Sequence, residues 1–244
     1  MVNKTFHHIG FSFFLIVFYG GISLLPQVEN SPPKVNIVRP ADRSVFQWNS
    51  IVPYQIDIDD KEDGKSAYDE INKNEVLFIV NYFPDTLSAR QYVLDSQSVF
   101  HPSLRLMTRS NCMNCHANKS KLIGPSYALI AERYSNDEQS VRLLASRMIE
   151  GSKGVWGDVP MPPHPDIDQS TAQQMVRWIL DNGNRKDQSF FVGTEGSFKT
   201  RGEPAKNESG RYVLTAAYTD RGIENDSQSK KHSQHTVVLL SKQP

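Results

Sequence analysis

From residue 34 onwards, the spacing of hydrophobic residues divides the chain into three parts. Between 34 and 102, apolar and polar residues mostly alternate, as they do in strands with one buried face. From 103 to 183, apolar residues recur at intervals of three and four, the spacing of helices with one apolar side. After residue 184 the alternation returns, so the pattern predicts a β-rich chain interrupted by a helical segment.

Short apolar stretches predict strands on both sides of the helical segment. The predicted strands cover 35–39, 51–58, 76–83, 190–192, 197–199, 210–222 and 236–241. Because the first three strands alone would leave edges unpaired and one face bare, we expect 34–102 and 184–244 to form one sandwich with 103–183 inserted. The alternative is two independent β pieces that flank the helices. The polar stretch 224–234 is expected to be mobile.

Four helices are predicted within 103–183. They cover 103–109, 126–134, 137–150 and 170–181, each with apolar residues on one side. Ser170 is the predicted N-cap of the last helix, and Gly183 is expected to end it. Met107, Met148 and Met175 fall on apolar sides and are expected to fill the core.

Residues 1–25 have the composition of a targeting segment. Lys4 precedes an almost uninterrupted apolar run from Ile9 to Leu25. This is typical of a secretory signal peptide, although no clean cleavage motif follows it. An uncleaved membrane anchor stays open, because the run is near the lower limit for a spanning helix. A membrane partner is expected only in that second case.

Charge and cysteine content restrict the chemistry. The 244 residues carry 27 basic and 27 acidic side chains, so net charge does not favour nucleic acid as a partner. Only two cysteines are present, and both lie in Cys112-Met113-Asn114-Cys115-His116. No disulfide framework is therefore expected.

The C-x-x-C-H motif predicts covalent attachment of one haem c. Cys112 and Cys115 would form thioethers, and His116 would ligate the iron. A thioredoxin-like dithiol is the first alternative, but no βαβ pattern surrounds the motif. Half of a zinc site is the second, but no further cysteine is available.

A second motif lies downstream, where Gly151 to Pro163 reads GSKGVWGDVPMPP. Prolines at 160, 162 and 163 stiffen the backbone around Met161. Its soft thioether suits iron, although a lone methionine is more often core filler.

Together with Gly124-Pro125, these motifs make 103–183 similar to a small bacterial class I cytochrome c with one haem. The resemblance implies that Met161 is the sixth ligand and that the Pro125 carbonyl orients the His116 imidazole. It also implies that Arg147 and Trp156 approach the haem propionates. Asp158 departs from the family, which commonly has a neutral residue there.

The β part resembles an immunoglobulin-like bacterial sandwich of the kind attached to extracellular enzymes. The resemblance rests on Pro40-Ala41-Asp42, on residues 54–57 and on a tyrosine strand that closes with Thr219-Asp220-Arg221-Gly222. The predicted fold class is thus multidomain α + β, an all-α cytochrome c domain plus this sandwich. An acidic loop at 57–63 is either a solvated turn or a calcium site.

These features predict a periplasmic electron-transfer protein rather than an enzyme. A His/Met-ligated iron has no open position for substrate, and only one haem motif is present. By analogy with related arrangements, the redox partner is expected to be a separate sugar or alcohol dehydrogenase. The alternative function is a haem-containing accessory or binding subunit whose sandwich recognises a partner protein or a carbohydrate.

Overall fold

A computed structural model describes residues 29–95, 101–204, 209–224, 226 and 228–242. The predicted signal peptide or anchor at 1–25 lies outside these ranges. No helix within them combines the length and apolar character needed to cross a membrane.

Within these residues, nine strands form two sheets. The strands are β1 (Lys34–Arg39), β2 (Val45–Phe46), β3 (Ile51–Asp60), β4 (Gly64–Lys65), β5 (Leu77–Phe83), β6 (Gln188–Val192), β7 (Glu195–Lys199), β8 (Arg211–Thr219) and β9 (His232–Ser241). In the smaller sheet β3 pairs with β1, β4 and β7, all antiparallel. The larger sheet has the order β2-β9-β8-β5-β6.

Both sheets contain strands from before and from after the helical segment. In the smaller sheet β3 pairs with β7, with Pro53 opposite Ser197. In the larger sheet β5 lies between β6 and β8, with Ile79 opposite both Phe190 and Thr215. The two β-rich stretches of sequence therefore share their backbone hydrogen bonds.

The two sheets face each other across one hydrophobic core. Ile56 and Ile58 of the smaller sheet contribute to it, as do Phe78 and Leu214 of the larger one. The opposite side of β5 is also covered, because Leu77 and Ile79 pack with the helices in a second core. This double burial explains why β5 is apolar almost throughout, as strands covered on both faces are.

The described part of the chain also contains five α-helices, one of them unexpected. They are α1 (Thr86–Asp95), α2 (Pro102–Arg109), α3 (Tyr127–Arg133), α4 (Glu138–Glu150) and α5 (Gln169–Asn182). The last four match the predicted helices within one or two residues. Helix α1 was not predicted from the sequence, because this helix has no apolar stripe and Ala89 is its one buried residue.

Three details of the sequence analysis are wrong. The N-cap of α5 is Asp168 rather than Ser170, because the Asp168 carboxylate accepts the backbone N–H of Thr171. Strand β9 begins at His232, within the stretch expected to be mobile. The acidic residues of 57–60 belong to strand β3, so only the residues after Asp60 form a turn.

Candidate functional site

The C-x-x-C-H segment forms a compact turn directly after α2. Residues Cys112–Asn114 make one turn of 3-10 helix, entered through Asn111 in the left-handed region at φ 57°. The backbone N–H groups of Cys115 and His116 both donate to the carbonyl of Cys112, at 3.2 and 3.0 Å. This turn brings both thiols and the imidazole to the same side of the helical domain, where all three line one cavity.

The His116 ring is fixed by contacts with the loop that contains Gly124 and Pro125. Its Nδ1 lies 2.7 Å from the carbonyl oxygen of Pro125, the contact that the resemblance implied. Gly124 packs so closely that a Cβ there would lie 2.5 Å from Cε1 of His116. Because Nδ1 donates to Pro125, Nε2 is the nitrogen left to ligate a metal. Burial lowers the pKa of His116, which favours the neutral form that a metal ligand requires.

Tyr127 lies beside this histidine and was not singled out from the sequence. Its ring stacks on the His116 imidazole with a centroid distance of 5.7 Å and an interplanar angle of 28°. The hydroxyl is buried and has no hydrogen-bond partner among the described residues. The ring also lines the cavity. The feature of the sequence that could have identified Tyr127 is its position two residues after Pro125, at the start of a predicted helix.

Met161 reaches the cavity on a loop that closes on itself. Ser152 and Met161 exchange two backbone hydrogen bonds, of 3.1 and 2.8 Å, which makes 152–161 a closed loop. At its base Gly151 has φ +80°, and a Cβ there would lie 2.8 Å from the Met161 carbonyl oxygen. A glycine is required at this position for both reasons.

Arg133 contacts the tip of this loop, and this contact was not predicted from the sequence either. Its guanidinium lies 4.6 Å from the centre of the Trp156 ring, and it donates to the Val155 carbonyl at 3.1 Å. Arg147 donates to the Tyr134 hydroxyl at 2.9 Å. Trp156 and Arg147 both line the cavity, as the two residues assigned to the propionates would need to.

The walls that the helices contribute to the cavity are mostly apolar, whereas Lys121, Lys153 and Asp158 line it from the loops. Helices α2 to α5 provide the apolar walls with aliphatic and thioether side chains, namely Met107, Ile130, Leu144, Met148, Val176 and Ile179. Met107, Met148 and Val176 are buried, as expected for core residues. Burial raises the pKa of the Cys112 thiol to about 11, so this thiol is neutral in its apolar surroundings.

These residues fit a covalently bound haem. Two thiols and an imidazole line the cavity together with the thioether-bearing Met161, and the helices add mostly apolar walls that suit a macrocycle. An imidazole nitrogen and a thioether sulfur are a donor set used for haem iron in electron-transfer proteins. All seven residues singled out from the sequence, Cys112, Cys115, His116, Pro125, Arg147, Trp156 and Met161, line this one cavity.

Comparisons with known proteins identify the helical segment. The family model for cytochrome c matches residues 104–183. Over 76 residues the chain is 41% identical to cytochrome c-552 of Hydrogenobacter thermophilus, covering 31% of this chain and 76% of that protein. It is 36% identical over 75 residues to cytochrome c-551 of Pseudomonas aeruginosa, 31% of this chain and 71% of that one.

A solved structure of Nitrosomonas europaea cytochrome c552 is also similar. The two sequences are 36% identical. The alignment covers 31% of this chain and 93% of the solved one, with a TM-score of 0.30.

Proposed function

The chain belongs to the cytochrome c family through residues 104–183, and we propose that it is a periplasmic carrier of single electrons. Family membership brings one covalently bound haem c, and Cys112 and Cys115 are the thiols of the attachment motif. When bound, the haem supplies an iron centre that accepts and donates one electron. About two thirds of the chain lies outside the family segment, so the role of the β part belongs to the proposal.

The proposal depends on one observation, the placement of His116 and Met161 in the same cavity as the two cysteines. These two side chains would hold the iron, His116 through its imidazole nitrogen and Met161 through its thioether sulfur. An iron held by both would have no open position for a substrate. The protein would then carry electrons for a separate catalyst and would not be an enzyme itself.

The other site residues would orient and shield the group. The Pro125 carbonyl fixes the rotation of the His116 ring and directs Nε2 into the cavity. Arg147 and Trp156 would face the propionates, where a cation and an indole N–H favour negative charge. The closed loop around Met161 would exclude water from the distal side.

Electrons would pass at the rim of this cavity. Ile123 and Val159 line the cavity, yet their side chains are 55% and 65% exposed, and Leu122 beside them is 54% exposed. The segment 103–183 has nine basic and eight acidic residues, so its net charge is about +1. We therefore propose a small, mainly apolar docking surface, with Asp158 and His164 at its edge, as is usual for transient redox encounters.

The β part is proposed to be an immunoglobulin-like sandwich interrupted by the cytochrome domain. The shared strand pairing supports an insertion, since β3 bonds to β7 and β5 bonds to β6 and β8. Its Tyr54 and Tyr82 are buried in the core and so are not available as a carbohydrate platform. We propose that it supports the cytochrome domain and orients it towards a dehydrogenase partner.

Substitution of Met161 tests the ligand assignment. M161A should remove the near-infrared sulfur-to-iron band of the ferric protein and lower its reduction potential, because a soft ligand is lost. M175A is the matched control, since Met175 is buried in α5 within the same core. Loss of the band in M175A and its retention in M161A would show that the assignment is wrong.

Reaction kinetics test the carrier role. Reduction of the native protein by a small quinol or a candidate dehydrogenase should be fast and should depend only weakly on salt, because no concentrated charge steers the encounter. A steep loss of rate between low and moderate salt would contradict apolar docking. Tight binding of carbon monoxide, or peroxide turnover, would contradict the carrier role itself.

A further inference from the structure

Three distant segments meet at the end of the sandwich where β3 and β8 finish. Asn30 precedes β1, Asp60 is the last residue of β3, and Asp220 directly follows β8. All three polar side chains are almost completely buried, with exposed fractions of 4%, 3% and 2%. Such burial is costly for carboxylates unless each one is paired or binds a metal.

Hydrogen bonds join the first segment to the third. The Asn30 amide donates to Oδ2 of Asp220 at 2.9 Å and to the Ser229 carbonyl at 2.8 Å. The other oxygen of Asp220 accepts the backbone N–H groups of Gly222 and Lys231, both at 2.9 Å. The side chains of Asn30 and Asp220 are therefore held in fixed orientations.

The turn after β3 joins the same cluster. Oδ1 of Asp60 accepts the backbone N–H groups of Glu62 and Asp63, at 3.0 and 2.7 Å. Glu62 accepts the N–H of Ser31 at 3.4 Å, and Asp63 accepts the N–H of Arg221 at 2.9 Å. The turn thus contacts both neighbouring segments through residues adjacent to Asn30 and Asp220.

Two oxygen atoms in this cluster are buried without a hydrogen-bond donor. They are Oδ2 of Asp60 and Oδ1 of Asn30, neither of which has a partner among the described residues. Within those residues, no lysine, arginine or histidine nitrogen lies within 4.0 Å of a carboxylate oxygen of Asp60 or Asp220. Negative charge and two oxygen acceptors without a donor are therefore buried together at this end of the sandwich.

The carboxylates also repel one another. Burial raises the pKa of Asp60, and the nearby charges of Asp63 and Asp220 raise it further, against the effect of its two backbone hydrogen bonds. A bound cation would reverse this effect, since an opposite charge stabilises the ionised form.

We propose that Asn30, Asp60 and Asp220 bind a calcium ion through Asn30 Oδ1, Asp60 Oδ2 and the Asp220 carboxylate. Carboxylate and amide oxygens are the hard ligands that calcium prefers, and its six to eight ligands commonly include backbone oxygens and water. No group of three His, Cys, Asp or Glu side chains in the described ranges could hold a metal by itself. The site instead combines two carboxylates with an amide.

The ion would join both sheets at one end of the sandwich. Asp60 belongs to the smaller sheet, Asp220 follows a strand of the larger one, and Asn30 precedes β1. Because the three segments are far apart in sequence, the site forms only in the folded protein. Calcium should therefore stabilise the fold by mass action.

Calcium-dependent unfolding of the haem-loaded full chain tests this proposal. After treatment with EGTA, the urea midpoint followed by far-UV circular dichroism should rise with each tenfold increase in calcium above the dissociation constant. For extracellular modules that constant is about 10⁻⁴–10⁻³ M. Calorimetric titration with calcium chloride should give one site. An unchanged midpoint with no binding heat would overturn the proposal, and an equal response to magnesium would overturn the assignment to calcium.

Two matched variants separate binding from a purely structural role. D60N keeps an oxygen acceptor for the two backbone N–H groups but removes the ligand charge, so the calcium response should be lost. In EGTA its midpoint should equal or exceed that of the wild type, because like-charge repulsion is relieved. D57N, an exposed site on the same strand, should keep the full response. A full response in D60N, or its loss in D57N, would overturn the proposal, and the wild-type titration decides alone if D60N does not fold.

Discussion

The ring of Phe190 in β6 lies 5.7 Å from the ring of Tyr127 in α3. Tyr127 stacks on His116, so a strand of the larger sheet supports the His116 side of the cavity through one intervening side chain. Phe190 also packs edge-on against Trp178 of α5 at 5.4 Å, and its N–H donates to Asn118 at 3.3 Å. The β part and the cytochrome domain therefore share a core.

Replacing Phe190 by alanine should uncouple the two domains. Loss of a buried phenylalanine costs about 3–5 kcal/mol. Because the lost contacts lie between domains, we expect the Soret-monitored and far-UV unfolding transitions to separate and both midpoints to fall. F191A is the control, since Phe191 packs against the core between the sheets. Coincident transitions with an unchanged midpoint in F190A would contradict the shared core.

Replacing Gly124 by alanine should displace the His116 ring. The new Cβ would lie 2.5 Å from Cε1, so the imidazole must move away from the Pro125 carbonyl. Overpacking of this kind costs about 1–3 kcal/mol. Electron paramagnetic resonance of the ferric protein should show a high-spin fraction that the wild type lacks.

The control for this experiment is G202A. Gly202 is exposed, and a Cβ there would meet nothing within 4 Å. A G124A protein with a wild-type spectrum would show that His116 is not confined as the structure indicates.

Asp168 should give α5 a pH-dependent stability. Hydrogen bonds from the hydroxyls of Ser170 and Thr171 and from the Thr171 N–H hold the pKa of Asp168 well below its usual range. A lowered folded pKa contributes stability above the unfolded pKa of about 3.9, and this contribution is lost as pH falls through the folded pKa. D168A should therefore unfold at lower urea than the wild type at pH 7.

The difference in urea midpoint between the wild type and D168A should become smaller below about pH 4, because the wild type begins to lose this stabilisation there. D168N keeps a capping oxygen and should lose less stability at neutral pH. D166A alters an exposed acid two residues earlier and should leave the midpoint unchanged. A difference in urea midpoint that stays constant down to pH 2 would show that ionised Asp168 does not stabilise α5.

Removing residues 103–183 should leave a folded sandwich. Replacing 103–183 by a short Gly-Ser bridge deletes Trp156 and Trp178, so Trp48 becomes the only tryptophan. We expect its fluorescence to report cooperative unfolding, because the described residues of the core between the sheets all belong to the β part.

The deletion exposes the apolar face of the larger sheet that packs against the helices, so residues on this face must be replaced by polar ones. Leu77, Ile79 and Phe190 face the helices and would become exposed, so threonine at all three should prevent aggregation while preserving strand propensity. Non-cooperative unfolding of this protein would favour two independent β pieces.

Local spacing was sufficient to predict several features of this protein. Patterns within a single element or loop predicted the C-x-x-C-H motif, the proline-framed Met161 and the helices α2 to α5. Such patterns can be recognised without knowing the long-range contacts. Strand β5 was also predicted, since its continuous apolar composition does not depend on which neighbours cover it. The cofactor and the class of function could therefore be inferred from the sequence.

Long-range contacts were decided only by the tertiary structure. Nothing in the sequence near residue 190 indicates that Phe190 supports Tyr127, and nothing near residue 30 links Asn30 to Asp60 and Asp220. The acidic stretch suggested a cation site, but Asp57 and Asp59 are exposed, and only Asp60 is buried with distant partners. Which carboxylate is desolvated depends on strand register and on the packing of one sheet against the other, and those arise from interactions among residues far apart in the chain.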